Sequence, residues 1–280
     1  MGKQYHIGVG EGEVAEYVLL PGDPKRVPLI AGFWDEAEKV GENRHYVTYT
    51  GTIGECRVSC CSTGIGGPGV AIAVEELARC GAKTFIRVGT AGAMQEHVEV
   101  GALAISDAAY RLEGTSSTYV DKGYPAAASL DVTTALIEAA AKLGYPFEVG
   151  VTASGDGFYS GKTPSNSFTG YWQSWMQGHY EDLTRARVLS GEMEAATLFT
   201  LARLFGLRSG CVCAIVDNSV KLRQSGSAFD PEKEFSHDPS YIQRAAKTAC
   251  EAVRTLYKWD QDRLKAGKQT WHPTLSYKEK

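Results

Sequence analysis

The pattern that most restricts this chain is an alternation of short apolar runs, bounded by glycine or proline, with segments of helical period. The runs YVLL (17–20), YVTYT (46–50), CRVSC (56–60), TFIRV (84–88), ALAIS (102–106), FEVGVT (147–152) and CVCAIV (211–216) read as strands. In PGVAIAVEELARCG (68–81), Val70, Ala73, Val74 and Leu77 share one helical face, with Pro68 near the start and Gly81 past the end. Residues 130–144 and 192–206 read the same way, and a last helix is expected from about Pro239 to Arg263. Strands alternating with helices imply an α/β domain with a largely parallel or mixed sheet. No internal repeat or clear linker interrupts the pattern. One domain over residues 1–263 is therefore expected, followed by a polar tail at 264–280. Residues 155–186 hold Ser, Gly, Tyr and Trp without a sustained period and read as a long loop, of a kind usually functional or mobile.

Composition excludes several classes of function. With 43% hydrophobic and 22% charged residues, the chain is ordinary for a soluble globular protein. A net charge of −4 gives no general attraction to nucleic acid or an anionic membrane, so neither is expected as a partner. Any anion must be met by a local cluster of cations. No run approaches membrane-spanning length, and the first residues lack the apolar core of a signal peptide. His6 stands where acylation of an initial Met-Gly would want Ser or Thr. Seven cysteines in apolar surroundings read as reduced thiols of a cytoplasmic protein. Cys211 and Cys213 share a strand face without ligand partners nearby, so core packing is expected of them.

The candidate chemistry starts from three glycine-bearing turns expected after strands: LLPGDPKRV (19–27), STGIGGPG (62–69) and RVGTAGA (87–93). Ligands in open α/β sheets gather beyond the carboxyl ends of strands, where glycine lets backbone N–H groups approach an anion. None of the three has dinucleotide or Walker A spacing. Arginines add information: Arg26 closes the first turn, Arg44 precedes a strand, and Arg87 lies within the apolar run TFIRV. Arg26 or Arg44 alone could be a surface charge with a buried stem. Arg87 cannot shed its charge and must meet an anion or a carboxylate, and a phosphate would suit its forked donors. In SGEMEAATL (190–198), Glu192 and Glu194 bracket Met193. They read either as acidic residues of a helix start or as a fixed acceptor for paired sugar hydroxyls.

The ordered set PGDPKRV, STGIGGP, AVEELARCGAKTFIRVGTAGAMQ, GVTASGDGFYSG and EMEAATL resembles the nucleoside phosphorylase family of uridine phosphorylases and hexameric-type purine nucleoside phosphorylases. The resemblance is closest to the uridine branch and runs from about His6 to Val216. It implies a three-layer α/β/α domain around a mixed, partly barrel-like sheet. It also implies cleavage of a nucleoside by inorganic phosphate, giving free base and ribose 1-phosphate without a cofactor. By resemblance, Gly22, Arg26, Arg87 and Thr90 hold phosphate, with Arg44 reaching in from a neighbouring subunit. Thr90, Met193 and Glu194 meet the ribose, and His6 touches its 5′-hydroxyl across the same boundary. Gly92, Phe158, Lys162, Glu192 and Asp217 are assigned to the base, and Arg26, Arg87 and Asp217 to catalysis. A homodimer is then the smallest working unit, with a hexamer left open. Arg87→Ala is expected to remove phosphate binding from a protein that still folds.

The base pocket departs from the uridine pattern. Where uridine members carry Gln-x-Arg after their FYxG motif, this chain has Lys162, Thr163 and Pro164. Ala91 replaces a second threonine, and Asp217 and Ser219 stand where an apolar residue and an arginine are usual. An aspartate near Asp217 serves the purine members as the acid for the leaving base. It also reads as a turn residue after a strand. Uridine is ranked first, a purine nucleoside second, and a non-catalytic nucleoside-binding homologue is kept as the alternative of another class. At an interface cation site of some relatives, His45 and Gly69 stand in place of oxygen ligands, and no metal is expected there.

Overall fold

The structure, a computed structural model, describes residues 2–159, 167–225 and 235–268. The strands are β1 (Tyr17–Leu20), β2 (Glu36–Asn43), β3 (Tyr46–Ile53), β4 (Cys56–Cys61) and β5 (Thr84–Ala93). They continue with β6 (Leu103–Leu112), β7 (Ala126–Ala127), β8 (Phe147–Gly155), β9 (Ser190–Glu192) and β10 (Arg208–Asn218). The helices are α1 (Arg26–Ala31), α2 (Gly67–Arg79), α3 (Leu130–Lys142), α4 (Ser174–Arg185), α5 (Ala195–Leu204), α6 (Ser219–Ser225) and α7 (Pro239–Lys265).

The sheet is mixed and partly closed. Strands β5, β10, β6, β8 and β9 pair in a ring that returns to β5. On the other edge of β5, strands β1, β4, β3 and β2 continue as an open sheet. This is the three-layer, partly barrel-like α/β architecture that the resemblance implied.

Period-2 alternation builds the layers. On β1, β5 and β10, Val18, Leu20, Phe85, Cys211, Cys213 and Ile215 enter a core shared with α2 and α5. Their neighbours Tyr17, Leu19, Ile86, Val88, Val212 and Ala214 enter the opposite core, with α1, α3 and α7. The cysteines are all free and buried, so the apolar packing expected of Cys211 and Cys213 is the packing observed. No helix among the described residues is long and apolar enough to cross a membrane.

Several elements differ from the sequence reading. RVGTAGA is not a turn: β5 runs unbroken to Ala93, because β10 and β9 supply partners for its glycine-rich half. The helix expected over 192–206 starts only at Ala195, since Ser190–Glu192 are drawn into the barrel as β9. Residues 155–186 are not all loop, for they contain α4, of which only Leu183 is buried. Strand β2 is absent from the sequence reading because EAEKVGEN shows no apolar alternation; it is an edge strand with mostly exposed side chains.

The end of the sheet away from the glycine loops is tied by a polar cluster. Arg208 on β10 donates to Asp131 on α3 at 2.9 Å and to Asp260 on α7 at 2.6 Å. The Tyr17 hydroxyl donates to the same Asp260. Burial first, then Asp260, push the Tyr17 phenol well above its usual range. Among the described residues, removing Arg208 leaves the largely buried Asp131 without its cation and Asp260 with only Arg263, at 3.5 Å. We expect Arg208→Met to lower stability by about 3 kcal/mol, read as a fall in the denaturation midpoint.

Candidate active site

A cavity of about 1190 Å³ opens at the carboxyl ends of β1, β4, β5, β8 and β10. Each contributing segment follows from the strand before it. The turn after β1 brings Gly22 and, at the first residue of α1, Arg26. The turn after β4 brings Gly64 and Ile65, and β5 supplies Arg87, Thr90 and Gly92. Met193 and Glu194 enter from the β9–α5 junction, and Asp217 from the end of β10. The register of β10 on β5 shifts between Ile215 and Asp217, which sets Asp217 opposite Gly92.

Arg87 is only 5% exposed and meets two carboxylates of its own chain. Its Nε donates to Glu192 Oε2 at 2.7 Å, and Nη2 lies 2.5 Å from Glu194 Oε2. Burial opposes the guanidinium charge, but Glu194 and Glu192 outweigh it and carry its pKa above the ordinary value. Glu194 Oε1 also accepts the Gly66 N–H at 2.6 Å, which couples the β4 turn to the start of α5.

Glu192, expected at the base, has its carboxylate committed inside the protein. One oxygen accepts Arg87 Nε and the N–H groups of Glu194 and Ala195; the other accepts Ala195 N–H and the Ser154 hydroxyl. It orients Arg87 and satisfies the first amides of α5, while the residue still lines the cavity.

The glycines of β5 are needed for space. A Cβ on Gly89 would come within 2.8 Å of the Arg87 guanidinium carbon, and one on Gly92 within 2.6 Å of Asp217 Oδ1. These positions leave room for two functional side chains, whereas the sequence pattern suggests turn glycines.

Arg26 makes no ion pair among the described residues. Burial lowers its pKa, and the charge of Arg87 lowers it further, so the two guanidiniums share one end of the cavity. At the other end Phe158 packs edge-on against Phe235, their centroids 5.9 Å apart, and Asp217 is buried beside the Ser219 hydroxyl. Lys162 lies outside the described residues. Arg44 and His6 do not line this cavity: Arg44 sits at the β2–β3 turn with φ 56°, and His6 is in the amino-terminal segment.

Sequence reasoning misses other lining residues. His45, Tyr180 and the segment Phe235–Ile242 at the start of α7 also face the cavity. Arg223 on α6 lies 5.1 Å from the centroid of the Tyr180 ring, and burial lowers its pKa. The run FSHDPSY, aromatic and polar before a helix, was the available signal for the α7 segment.

Residues 16–258 match the Phosphorylase superfamily. The chain belongs to that superfamily. Among curated relatives in it, uridine phosphorylase of Thermococcus kodakarensis is 51% identical over 98% of this chain and 94% of its own length. Uridine phosphorylase of Escherichia coli is 37% identical over 90% of this chain and 97% of its own. Guanosine phosphorylase of Halorubrum lacusprofundi is 39% identical over 91% of this chain and its full length.

Within this superfamily member, the Glu192 contacts yield a direct test. Glu192→Gln sets a donor amide against an arginine and backbone N–H groups. We expect it to cost about 3 kcal/mol of folding stability, measured by chemical denaturation.

Proposed function

We propose that this enzyme is a pentosyltransferase that cleaves a nucleoside with inorganic phosphate, uridine first, releasing free base and ribose 1-phosphate. The observation that carries the reading is the convergence of Arg26 and Arg87 at one end of a cavity that holds the Glu194 carboxylate beside them. The uridine phosphorylases among its relatives support the choice of substrate.

In this reading phosphate lies against Gly22, Arg26, Arg87 and Thr90, placed beneath the anomeric carbon. Glu194 accepts ribose hydroxyls with the lone pairs that Gly66 and Arg87 leave open, and Met193 packs near the sugar. As the glycosidic bond lengthens, the sugar gains oxocarbenium character and the phosphate stabilises it. The departing base gathers negative charge at the Phe158 and Asp217 end. The step needs no cofactor, since phosphate is the co-substrate.

The base end favours one chemical edge. Uracil, hypoxanthine and guanine each present an N–H beside a carbonyl. Asp217, which lines the cavity, can accept from that N–H, whereas adenine and cytosine present a ring-nitrogen acceptor in its place. Asp217 also keeps a purine nucleoside as the second reading, since it can return a proton to the leaving base; a guanosine phosphorylase is among the relatives. Because Arg44 and His6 stand outside the cavity of their own chain, the working unit in this reading is at least a homodimer, with each copy completing the other's site.

Uridine, inosine, guanosine and adenosine, each with and without phosphate, test this directly. Phosphate-dependent release of uracil is expected. Release of purine bases alone would transfer the assignment to the second reading, and binding without turnover would indicate a non-catalytic homologue.

The expectation that Arg87→Ala leaves a folded protein conflicts with the structure, because it strands Glu192 and Glu194 in the interior. Arg26→Ala is the cleaner probe. It should raise the KM for phosphate at least about tenfold, through loss of a charged hydrogen bond, with the thermal transition retained.

A further inference from the structure

The amino-terminal segment is held by more contacts than a loose end needs. Glu76, on the last turns of α2, is largely buried and faces the segment's backbone. Its Oε2 accepts the N–H of His6 at 3.0 Å and of Ile7 at 2.9 Å, and its Oε1 lies 2.7 Å from His6 Nδ1. From the opposite side, Asn43 at the end of β2 donates its Nδ2 to the carbonyls of Tyr5, at 3.1 Å, and His6, at 2.9 Å. The Tyr5 ring stands edge-on to the imidazole, with centroids 4.7 Å apart. The N–H, carbonyl and Nδ1 of His6 are therefore all engaged, while part of its ring stays exposed.

This arrangement keeps His6 from its own cavity. Helix α2 begins beside Gly66, which contacts Glu194, and Glu76 lies nine residues beyond the first residue of that helix. At the helical rise per residue that is about 14 Å along the axis. The next residue after Asn43 is Arg44, at the turn of the same hairpin. The hairpin thus joins His6 and Arg44 in one unit, although its next residue, His45, reaches the chain's own cavity.

We propose that Glu76 is the positioning residue for His6. By accepting Nδ1–H it sets the tautomer and the ring plane, leaving Nε2 pointed outward to accept the 5′-hydroxyl of a nucleoside bound to a second copy of the chain. This rests on the phosphorylase reading above and adds to it the residue that makes the donated histidine competent.

Two measurements test the assignment. ¹⁵N shifts of the His6 ring in the unliganded full-length protein report the tautomer without any substrate. The Nδ1–H form is expected in the wild type and a mixture in Glu76→Gln; a wild-type ring protonated on Nε2 alone would overturn the proposal. A kinetic comparison of uridine with its 5′-deoxy analogue supplies the second readout. In the wild type the analogue should show a KM about tenfold above that for uridine, the scale of one good hydrogen bond. Both His6→Ala and Glu76→Gln should bring that ratio toward one, and the double variant should lower it no further. If Glu76→Gln raises both KM values by the same factor, the carboxylate is a structural tether and the proposal fails. If uridine is not turned over while the ring shows the Nδ1–H form, the error lies in the substrate reading and not in the clamp.

Discussion

The buried pairing of Arg87 with Glu192 and Glu194 is the constraint around which this molecule is arranged. A guanidinium placed mid-strand in an apolar sheet cannot lose its charge, so the fold must carry compensating carboxylates to it. They arrive from the β9–α5 junction, which explains why Ser190–Glu192 leave the helix and join the barrel. Gly89 keeps the space that the guanidinium occupies, and Ser154 on β8 holds the far oxygen of Glu192. Separate chain segments are thus fixed by one cation.

The same pairing shapes the electrostatics of the cavity. Arg26 and Arg87 together bring two positive charges, and Glu192 and Glu194 bring two negative ones, so this part of the site is balanced within one chain. An anionic co-substrate then depends on Arg26, whose charge meets no carboxylate among the described residues, and on cations from outside the chain. The exposed position of Arg44, at the turn of the β2–β3 hairpin and outside the lining of its own cavity, fits that need. Electrostatics and assembly are linked in this reading of the enzyme: a site left short of positive charge by one copy is completed by another.

Much of the fold was legible in the sequence. The apolar runs of β1, β3, β4, β5, β6, β8 and β10 and the amphipathic periods of α2, α3 and α7 were visible because each buries a regular face. What escaped notice had no such face. Strand β2 is charged and exposed, β9 is three residues long, and α4 buries only Leu183. Arg26, Thr90, Met193, Glu194, Phe158 and Asp217 could be named from their motifs and do line one cavity. Tyr180, which also lines it, could not, since it lies on a helix outside the family motifs. Glu76 lay within one, but its link to His6 spans seventy residues that only folding brings together.

From its own order of residues the chain determined an α/β class, the family motifs and the identity of the charged groups, because periodicity and local spacing are properties of neighbours in sequence. Tertiary structure decided what those groups do to one another. It turned RVGTAGA from an expected anion-binding turn into a continuous strand whose glycines make room for Arg87 and Asp217. It committed the Glu192 carboxylate to Arg87 and the first amides of α5, and it set His6 and Arg44 outside the lining of their own chain's cavity. Each outcome depends on the satisfaction of a buried charge or a backbone donor by a partner far away in sequence. Pairing of that kind is fixed only when the strands close.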